Sequence, residues 1–336
     1  MYAIESLTLL PFFVIIIRGN LGGGVTQVLM GSVLFPLFRD IFDGDEEKAW
    51  RTICIFPATI GIITSYCVIR FTDDHPKGNY SKMKKQNQMK TVGMLESFRK
   101  GAFNMNTWLL FVQYACCFGV EITMNNAAAL YFKDEFGQST ESAAAIASIF
   151  GWMNLFARGM GGYISDRVNQ THGMRGRLGW QTFVLLMEGI MVVIFAYSSS
   201  LGVAIAILVL FSIFVQAAEG ATYGIVPYVN PPITGSISGI IGAGGNTGAV
   251  LFGLCFRQFS AQTAFVIMGC TIVLSSILSI FIFIKGHPGL LWRTTLHDDQ
   301  PKDQIASAEQ GQDVTATASM SEDTSSSCSG SNATRS

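Results

Sequence analysis

Two long apolar runs of this sequence carry the same pattern of residues that could do chemistry. In the first run, at positions i, i+4, i+7 and i+11, they are Tyr114, Phe118, Glu121 and Asn125. In the second run, at the same spacing, they are Asn154, Arg158, Gly161 and Ser165. This spacing places each set on one face of a helix. Phenol, carboxyl, amide and guanidinium groups on two such faces could together bind an anion or carry a proton.

A third apolar run adds Gln216, Glu219 and Tyr223 at i, i+3 and i+7, and a further run contains the lone Glu188. Ionisable groups inside apolar helices are costly and by default indicate function. We therefore expect these faces to converge on a wet cavity. A Glu–Arg pair that only holds two helices together is the alternative.

Arg158 is the most informative of these residues, because a guanidinium in the middle of an apolar run needs an anion beside it. That anion is either a neighbouring carboxylate or a substrate. Asn154 and Gln216 fit two interpretations equally, since polar side chains can also simply link helices in a membrane.

The elements that must position these residues are membrane helices. The chain has 336 residues, of which 49% are hydrophobic and 13% charged, whereas soluble domains carry roughly 25% charged residues. A spanning helix needs about 20 apolar residues. Eight runs meet that length, at about 8–36, 50–71, 107–132, 142–165, 179–198, 201–226, 235–256 and 263–285. The sequence thus predicts an all-α membrane protein.

The orientation of the spans follows from lysine and arginine, which favour cytoplasmic loops. Basic residues fill the connections after the second, fourth and eighth runs, whereas the alternate connections are acidic or neutral. This pattern predicts a multi-pass protein with both termini in the cytoplasm.

Other classes of function find little support. No cluster of His or Cys has metal-ligand spacing and no nucleophile motif is present, so we expect neither an enzyme, nor a metal, nor a cofactor. "GAGGNT" lacks the last glycine of a dinucleotide-binding loop. The net charge of −1 gives no reason to expect nucleic acid as a partner.

Several motifs resemble one transporter family. "GGYISDR", followed by "RGR", is similar to a loop motif of the major facilitator superfamily. "GNLGGGVTQ" and "GAGGNTG" resemble the paired signatures of its nitrate/nitrite porters. "QAAEGATYGIVP" and "DDHPKGNY" bring the chain near the high-affinity nitrate transporters of plants and algae.

The resemblance implies a major facilitator fold of twelve spans in two halves, with the substrate at midplane between them. The eight spans would be the fifth through twelfth, and the chain would be an N-terminally truncated fragment. Residues 1–71 would end the N-terminal half, with two spans. Residues 72–104 would be the cytoplasmic central linker, 105–285 the C-terminal six-helix half and 286–336 a disordered cytoplasmic tail.

The resemblance also implies roles for individual residues. Those expected to bind the substrate are Arg158, Tyr114, Phe118, Asn246, Gly244, Asn20 and Gly23. Those expected to act at a cytoplasmic gate are Asp166, Arg167, Arg175 and Arg177. The sequence departs from the family at Arg18, where a tryptophan is usual.

The function that the resemblance implies is a high-affinity, proton-coupled transporter of nitrate or nitrite in the plasma membrane. The candidates for carrying the protons are Glu219, which is the first choice, with Glu121 and Glu188. Its partners would be the anion, protons, the lipid bilayer and a small one-span accessory protein. The alternatives are a truncated remnant that does not transport, and a facilitator for another small anion.

Overall fold

The computed structural model describes residues 22–72 and 93–291, in which every regular element is helical. The α-helices are α1 (Gly22–Thr26), α2 (Phe35–Ile41), α3 (Glu46–Ile53), α4 (Ile55–Phe71), α5 (Met94–Ala102), α6 (Met105–Phe136), α7 (Thr140–Trp152), α8 (Ala157–Ala196), α9 (Leu201–Val229), α10 (Thr234–Gln258) and α11 (Ala261–Ile277). A π-helix covers Gln27–Leu34, and short 3-10 helices cover Met153–Leu155, Pro231–Ile233 and Leu278–Phe281. Helices suit a bilayer because they satisfy every backbone hydrogen bond internally.

Six helical stretches in these ranges are long and apolar enough to cross a membrane. They are Glu46–Phe71, Met105–Phe136, Thr140–Ala196, Leu201–Val229, Pro231–Gln258 and Ala261–Phe281. The predicted all-α membrane fold is confirmed. The predicted run at 8–36 is described only from Gly22 onward, and parts of the predicted linker (73–92) and tail (292–336) lie outside the described residues. The domain boundaries stay predictions.

The stretch Thr140–Ala196 contains two of the predicted spans, because α8 folds back on itself at Gly173. Gly173 has φ 61° and ψ −155°, a conformation that glycine alone adopts readily. The indole Nε1 of Trp180 donates to the carbonyl oxygen of Gly161 at 3.0 Å, although about 28 Å would separate these residues along a straight helix. We call residues 157–172 the first arm of α8 and residues 174–196 its second arm.

The predicted span at 142–165 is not one continuous helix, which corrects the expectation from its apolar pattern. Helix α7 ends at Trp152, Met153–Leu155 forms a 3-10 turn, and Phe156 (φ −129°, ψ −32°) leaves the helical region before α8 begins at Ala157. Gly24 of α1 lies beside the backbone of Gly151, so that a Cβ atom at Gly24 would stand 2.9 Å from the Gly151 carbonyl carbon. The interruption therefore comes where another helix crosses closely.

Glycines set the spacing between the long helices. A Cβ atom at Gly161 would collide with the backbone of Ala217, and one at Gly220 with the carbonyl oxygen of Arg158, so α8 and α9 cross with their backbones in contact. On α10, Gly244 lies against the carbonyl oxygen of Phe111 in α6, and Gly248 against that of Ala115. Close backbone approach at small residues is how membrane helices gain packing.

The N-terminal described helices pack on α7. Ser32 Oγ donates to the carbonyl oxygen of Glu141 at 2.9 Å, and Arg39 Nη1 donates to Glu141 Oε1 at 3.2 Å. Gly31 lies against the methyl group of Ala144. These contacts place the segment that follows the first glycine-rich stretch beside the helix that leads to Arg158.

Candidate functional site

The candidate site is built around the guanidinium of Arg158, the second residue of α8 after the interruption. Its side chain is only 14% exposed. Helix α9 reaches it because Gly220, which has no side chain, lies against the Arg158 carbonyl oxygen. Glu219 is thereby brought to the same place as Arg158.

Two carboxylates meet Arg158 at a single nitrogen atom. Arg158 Nη2 donates to Oε2 of Glu121 at 2.6 Å, and it also forms an ion pair with Oε2 of Glu219. Their side chains are 8% and 1% exposed, respectively. The sequence predicted that faces of α6, α8 and α9 converge, and these three residues do so.

The two carboxylates differ in their other partners. Asn154, in the 3-10 turn, donates from Nδ2 to Oε1 of Glu121 at 2.7 Å, so both oxygens of Glu121 accept hydrogen bonds. Neither oxygen of Glu219 has a hydrogen-bond partner of good geometry. Glu121 therefore has two partners, Arg158 and Asn154, whereas Glu219 has Arg158 as its partner.

An aromatic wall borders the guanidinium on one side. Its Cζ atom lies 5.9 Å from the centre of the Phe118 ring, and the Phe118 ring stacks on Tyr114 with centroids 5.2 Å apart. Tyr223 meets Tyr114 edge-on at 5.1 Å. Phe118 is supported from behind by Gly245 of α10. The wall brings together aromatic residues of two different helices.

Two contributors to this site, Asn154 and Tyr223, were not among the residues that the sequence predicted to bind the substrate. Asn154 fitted two interpretations equally, and its bond to Glu121 depends on a helix interruption that the apolar pattern does not reveal. Tyr223 was placed by its spacing on the same helical face as Glu219, although no role was assigned to it.

Two of the other residues that were expected to bind the substrate belong to α10. Asn246 is exposed, and its Nδ2 donates to Gly242 within its own helix at 3.3 Å. Gly244 is buried in the contact between α10 and α6. Gly23 is described only as part of α1, and Asn20 lies outside the described residues.

Two further polar side chains are fully buried without partners. Both carboxyl oxygens of Glu188 and both amide atoms of Gln216 lack a hydrogen bond. Glu188 lies on the second arm of α8 and interacts electrostatically with Cys116 and Cys117 of α6. Glu188 thus forms a separate polar position within the helical core.

The predicted gate residues surround the fold-back of α8. Arg177 Nη2 and Asp166 Oδ1 are 2.5 Å apart, which joins the two arms of α8. The guanidinium of Arg177 also lies 5.1 Å from the centre of the Tyr228 ring. Arg175 Nε donates to the carbonyl oxygen of Gly289 at 3.3 Å, and Arg167 Nε to Tyr163 at 2.9 Å.

Within residues 22–72 and 93–291, no group of three or more His, Cys, Asp or Glu residues could hold a metal ion.

Comparison with known proteins identifies the family. The sequence profile of the Major Facilitator Superfamily matches residues 19–252. The chain belongs to the major facilitator superfamily. This confirms the resemblance seen in the sequence motifs and agrees with the bundle of membrane-length helices.

Similar members of the superfamily are described as nitrate transporters. The chain is 36% identical over 275 residues to "High affinity nitrate transporter 2.5" of Arabidopsis thaliana, covering 81% of this chain and 54% of that protein. It is 38% identical over 238 residues to "Nitrate transporter 2.1" of Chlamydomonas reinhardtii, covering 69% and 43%. It is 33% identical over 211 residues to "Nitrate/nitrite transporter NrtP" of a Picosynechococcus species, covering 61% and 38%. The chain thus spans about half the length of the curated relatives that it matches.

Proposed function

We propose that this protein takes part in the high-affinity transport of nitrate, with nitrite as an alternative substrate, and that Arg158 binds the anion. The observation that carries the proposal is a nearly buried guanidinium among membrane-spanning helices. The names of its similar relatives within the superfamily support the choice of anion.

The chemistry of the anion suits this arginine. Nitrate is planar and carries one negative charge, so a planar guanidinium can bind two of its oxygens at once, which the ammonium of lysine cannot do. Tyr114 would donate a hydrogen bond from its phenol group, and Phe118 would exclude water from one side of the anion. The anion would move by alternating access, with Asp166 and Arg177 opening and closing the cytoplasmic side.

Uptake would be coupled to protons carried by Glu219, with Glu121 and Glu188 as the other candidates. The protein would act in the plasma membrane with both termini in the cytoplasm, together with a small one-span accessory protein. All three carboxyl groups are buried among membrane helices, which supports this part of the proposal, because ionisable groups inside such helices are costly and by default indicate function.

The test is uptake of isotope-labelled nitrate by oocytes that express the chain, alone and with an accessory protein. Arg158→Lys keeps the charge but removes the planar pair of donors, so we expect uptake to fall at least a hundredfold, which corresponds to about 3 kcal/mol. The matched control is Arg257→Lys, an exposed position at the end of α10, and surface labelling checks that each variant reaches the membrane. Normal uptake by Arg158→Lys would remove Arg158 from the site, and uptake of other small anions in preference to nitrate would remove the substrate assignment.

A further inference from the structure

The charges around Arg158 do not describe a site that is ready for an anion. One guanidinium faces the two carboxylates of Glu121 and Glu219, so the three ionised groups sum to −1. An added monoanion would bring this nearly buried group to −2, which is unfavourable where the surroundings have a low dielectric constant. Some other change must accompany the binding of an anion.

The geometry of the guanidinium leads to the same conclusion. A guanidinium offers two pairs of donors to a planar oxoanion, Nε with Nη2 and Nη1 with Nη2. Both pairs use Nη2, which carries two hydrogens and here meets two carboxylate oxygens. Arg158 Nε is buried and has no partner. An oxoanion can therefore bind through two donors only after one carboxylate leaves Nη2.

The surroundings indicate which carboxylate leaves. Glu121 accepts a second hydrogen bond from Asn154 at 2.7 Å, whereas Glu219 has no hydrogen bond besides its ion pair. Moving Glu121 would break two contacts and would leave Asn154 Nδ2 without its acceptor. Moving Glu219 would break only one contact.

We propose that Glu219 is a displaceable cap on Arg158, which an oxoanion replaces at Nη2 when the carboxylate takes up a proton. The inference rests on the proposed function and specifies how its binding site works. The proton comes from hydronium in the surrounding water and adds to one carboxylate oxygen of Glu219, and water is left behind. With this proton, the site has a charge of −1 both when it is empty and when it holds the anion.

Glu219 faces Arg158 of α8. The other titratable groups that interact with Arg158 are Glu121, Tyr114 and Cys117 of α6, and Tyr223 of the helix that carries Glu219. Arg158 is the described cation at this site and pairs with both carboxylates, but Glu121 also accepts a hydrogen bond from Asn154. Glu219 is therefore the carboxylate whose charge the site can neutralise with a proton when an anion arrives.

The experiment measures the dissociation constant of nitrate for the purified full chain in detergent, from pH 5 to pH 8, by isotope binding. If one proton is taken up with each anion, the dissociation constant of the unaltered protein rises about tenfold per pH unit above the pKa of the cap. Glu219→Gln mimics the protonated form, so we expect its dissociation constant to be independent of pH. At pH 8 it should bind nitrate more tightly than the unaltered protein.

Two further variants separate this assignment from others. Glu121→Gln should keep the pH dependence, because Glu219 still caps Arg158. Glu135→Gln, an exposed position on the same helix as Glu121, is the matched control and should behave as the unaltered protein. An unchanged pH dependence in Glu219→Gln, or its loss in Glu121→Gln, would overturn the inference.

A measurement on the unaltered protein covers the case in which Glu219→Gln does not fold. The infrared difference spectrum on adding nitrate should gain the carbonyl stretch of a protonated carboxyl group. It should lose the asymmetric stretch of a carboxylate group. If nitrate binds without this change, the inference is wrong and the proposed function stands. If the unaltered protein binds no nitrate at any pH, the proposed function fails and the inference fails with it.

Discussion

At the scale of single residues, each charged side chain of the site is held by only one or two partners among the described residues. Burying a guanidinium or a carboxylate is expensive, and removing one member of a buried ion pair typically costs about 3–5 kcal/mol. Asn154 contributes no charge, but it orients Glu121, which in turn orients Arg158. A neutral amide in a short 3-10 turn thus controls the position of the candidate binding group.

Replacing Asn154 by alanine tests this chain of contacts. Asn154→Ala leaves a buried oxygen of Glu121 without a donor, so we expect it to lower the free energy of unfolding by about 1–3 kcal/mol and to weaken nitrate binding. Thermal unfolding in detergent, with and without nitrate, measures both effects. Asn169→Ala, on a partly exposed position of the first arm of α8, is the control. Equal behaviour of the two variants would show that Asn154 does not support the site.

The sequence predicted the participants in this cluster and gave a Glu–Arg pair as an alternative, but it did not predict that two carboxylates meet at one nitrogen. Helical spacing placed Glu121, Arg158 and Glu219 on inward faces, and the structure brings them together. The two contacts at a single nitrogen depend on the depth of the α8–α9 crossing and on the interruption before Ala157. Residues 153–156 contain neither glycine nor proline, so no local signal marked that interruption.

At the scale of helices, the glycines divide α10 into two unlike sides. On one side Gly244, Gly245 and Gly248 are buried against α6. On the other side nothing lies within 4 Å of a Cβ atom built at Gly235 or Gly239. The signature "GAGGNTG" contains the first set, whereas Gly235 and Gly239 precede it. The first set is the one that packs against another of the described helices.

This division predicts opposite effects of two similar substitutions. Gly248→Ala would push a methyl group into the carbonyl oxygen of Ala115, and we expect a loss of about 1–3 kcal/mol in the free energy of unfolding. Gly239→Ala meets open space, and we expect a gain of about 0.4–1 kcal/mol, because alanine restricts the unfolded chain. The free energies of unfolding of the two variants, measured in mixed micelles, test this prediction. Destabilisation by Gly239→Ala to the same extent would mean that another segment covers that side of α10.

At the scale of the whole molecule, the apolar runs were sufficient to predict a bundle of membrane helices, and the motifs were sufficient to predict the superfamily. The fold-back at Gly173 agrees with the predicted boundary between two spans. However, the two arms of α8 follow each other without a loop, because the turn at Gly173 is very short. Hydropathy could not predict where helices are interrupted, since both α7 and the start of α8 are apolar.

The predicted orientation of the chain can be tested at two exposed positions on successive connections. His172 lies at the fold-back of α8, beside the basic residues, and Ser199 lies between α8 and α9. Because positive residues favour the cytoplasm, we expect Ser199→Cys to react with a membrane-impermeant maleimide in intact cells. His172→Cys should react only after permeabilisation. The opposite pattern, in a background with the other exposed cysteines replaced, would reverse the proposed topology.

The displaceable cap has an electrical consequence for the transport cycle. Because Glu219 is neutralised when the anion binds, the site has the same charge with and without the anion. The membrane voltage then acts equally on the conformational change of the empty protein and on that of the loaded protein. One anion that enters with one proton transfers no net charge. An inward current during uptake would require a second proton on a different group. Glu188, buried and without a hydrogen bond, is one described carboxyl group, outside the Arg158 cluster, that could hold it.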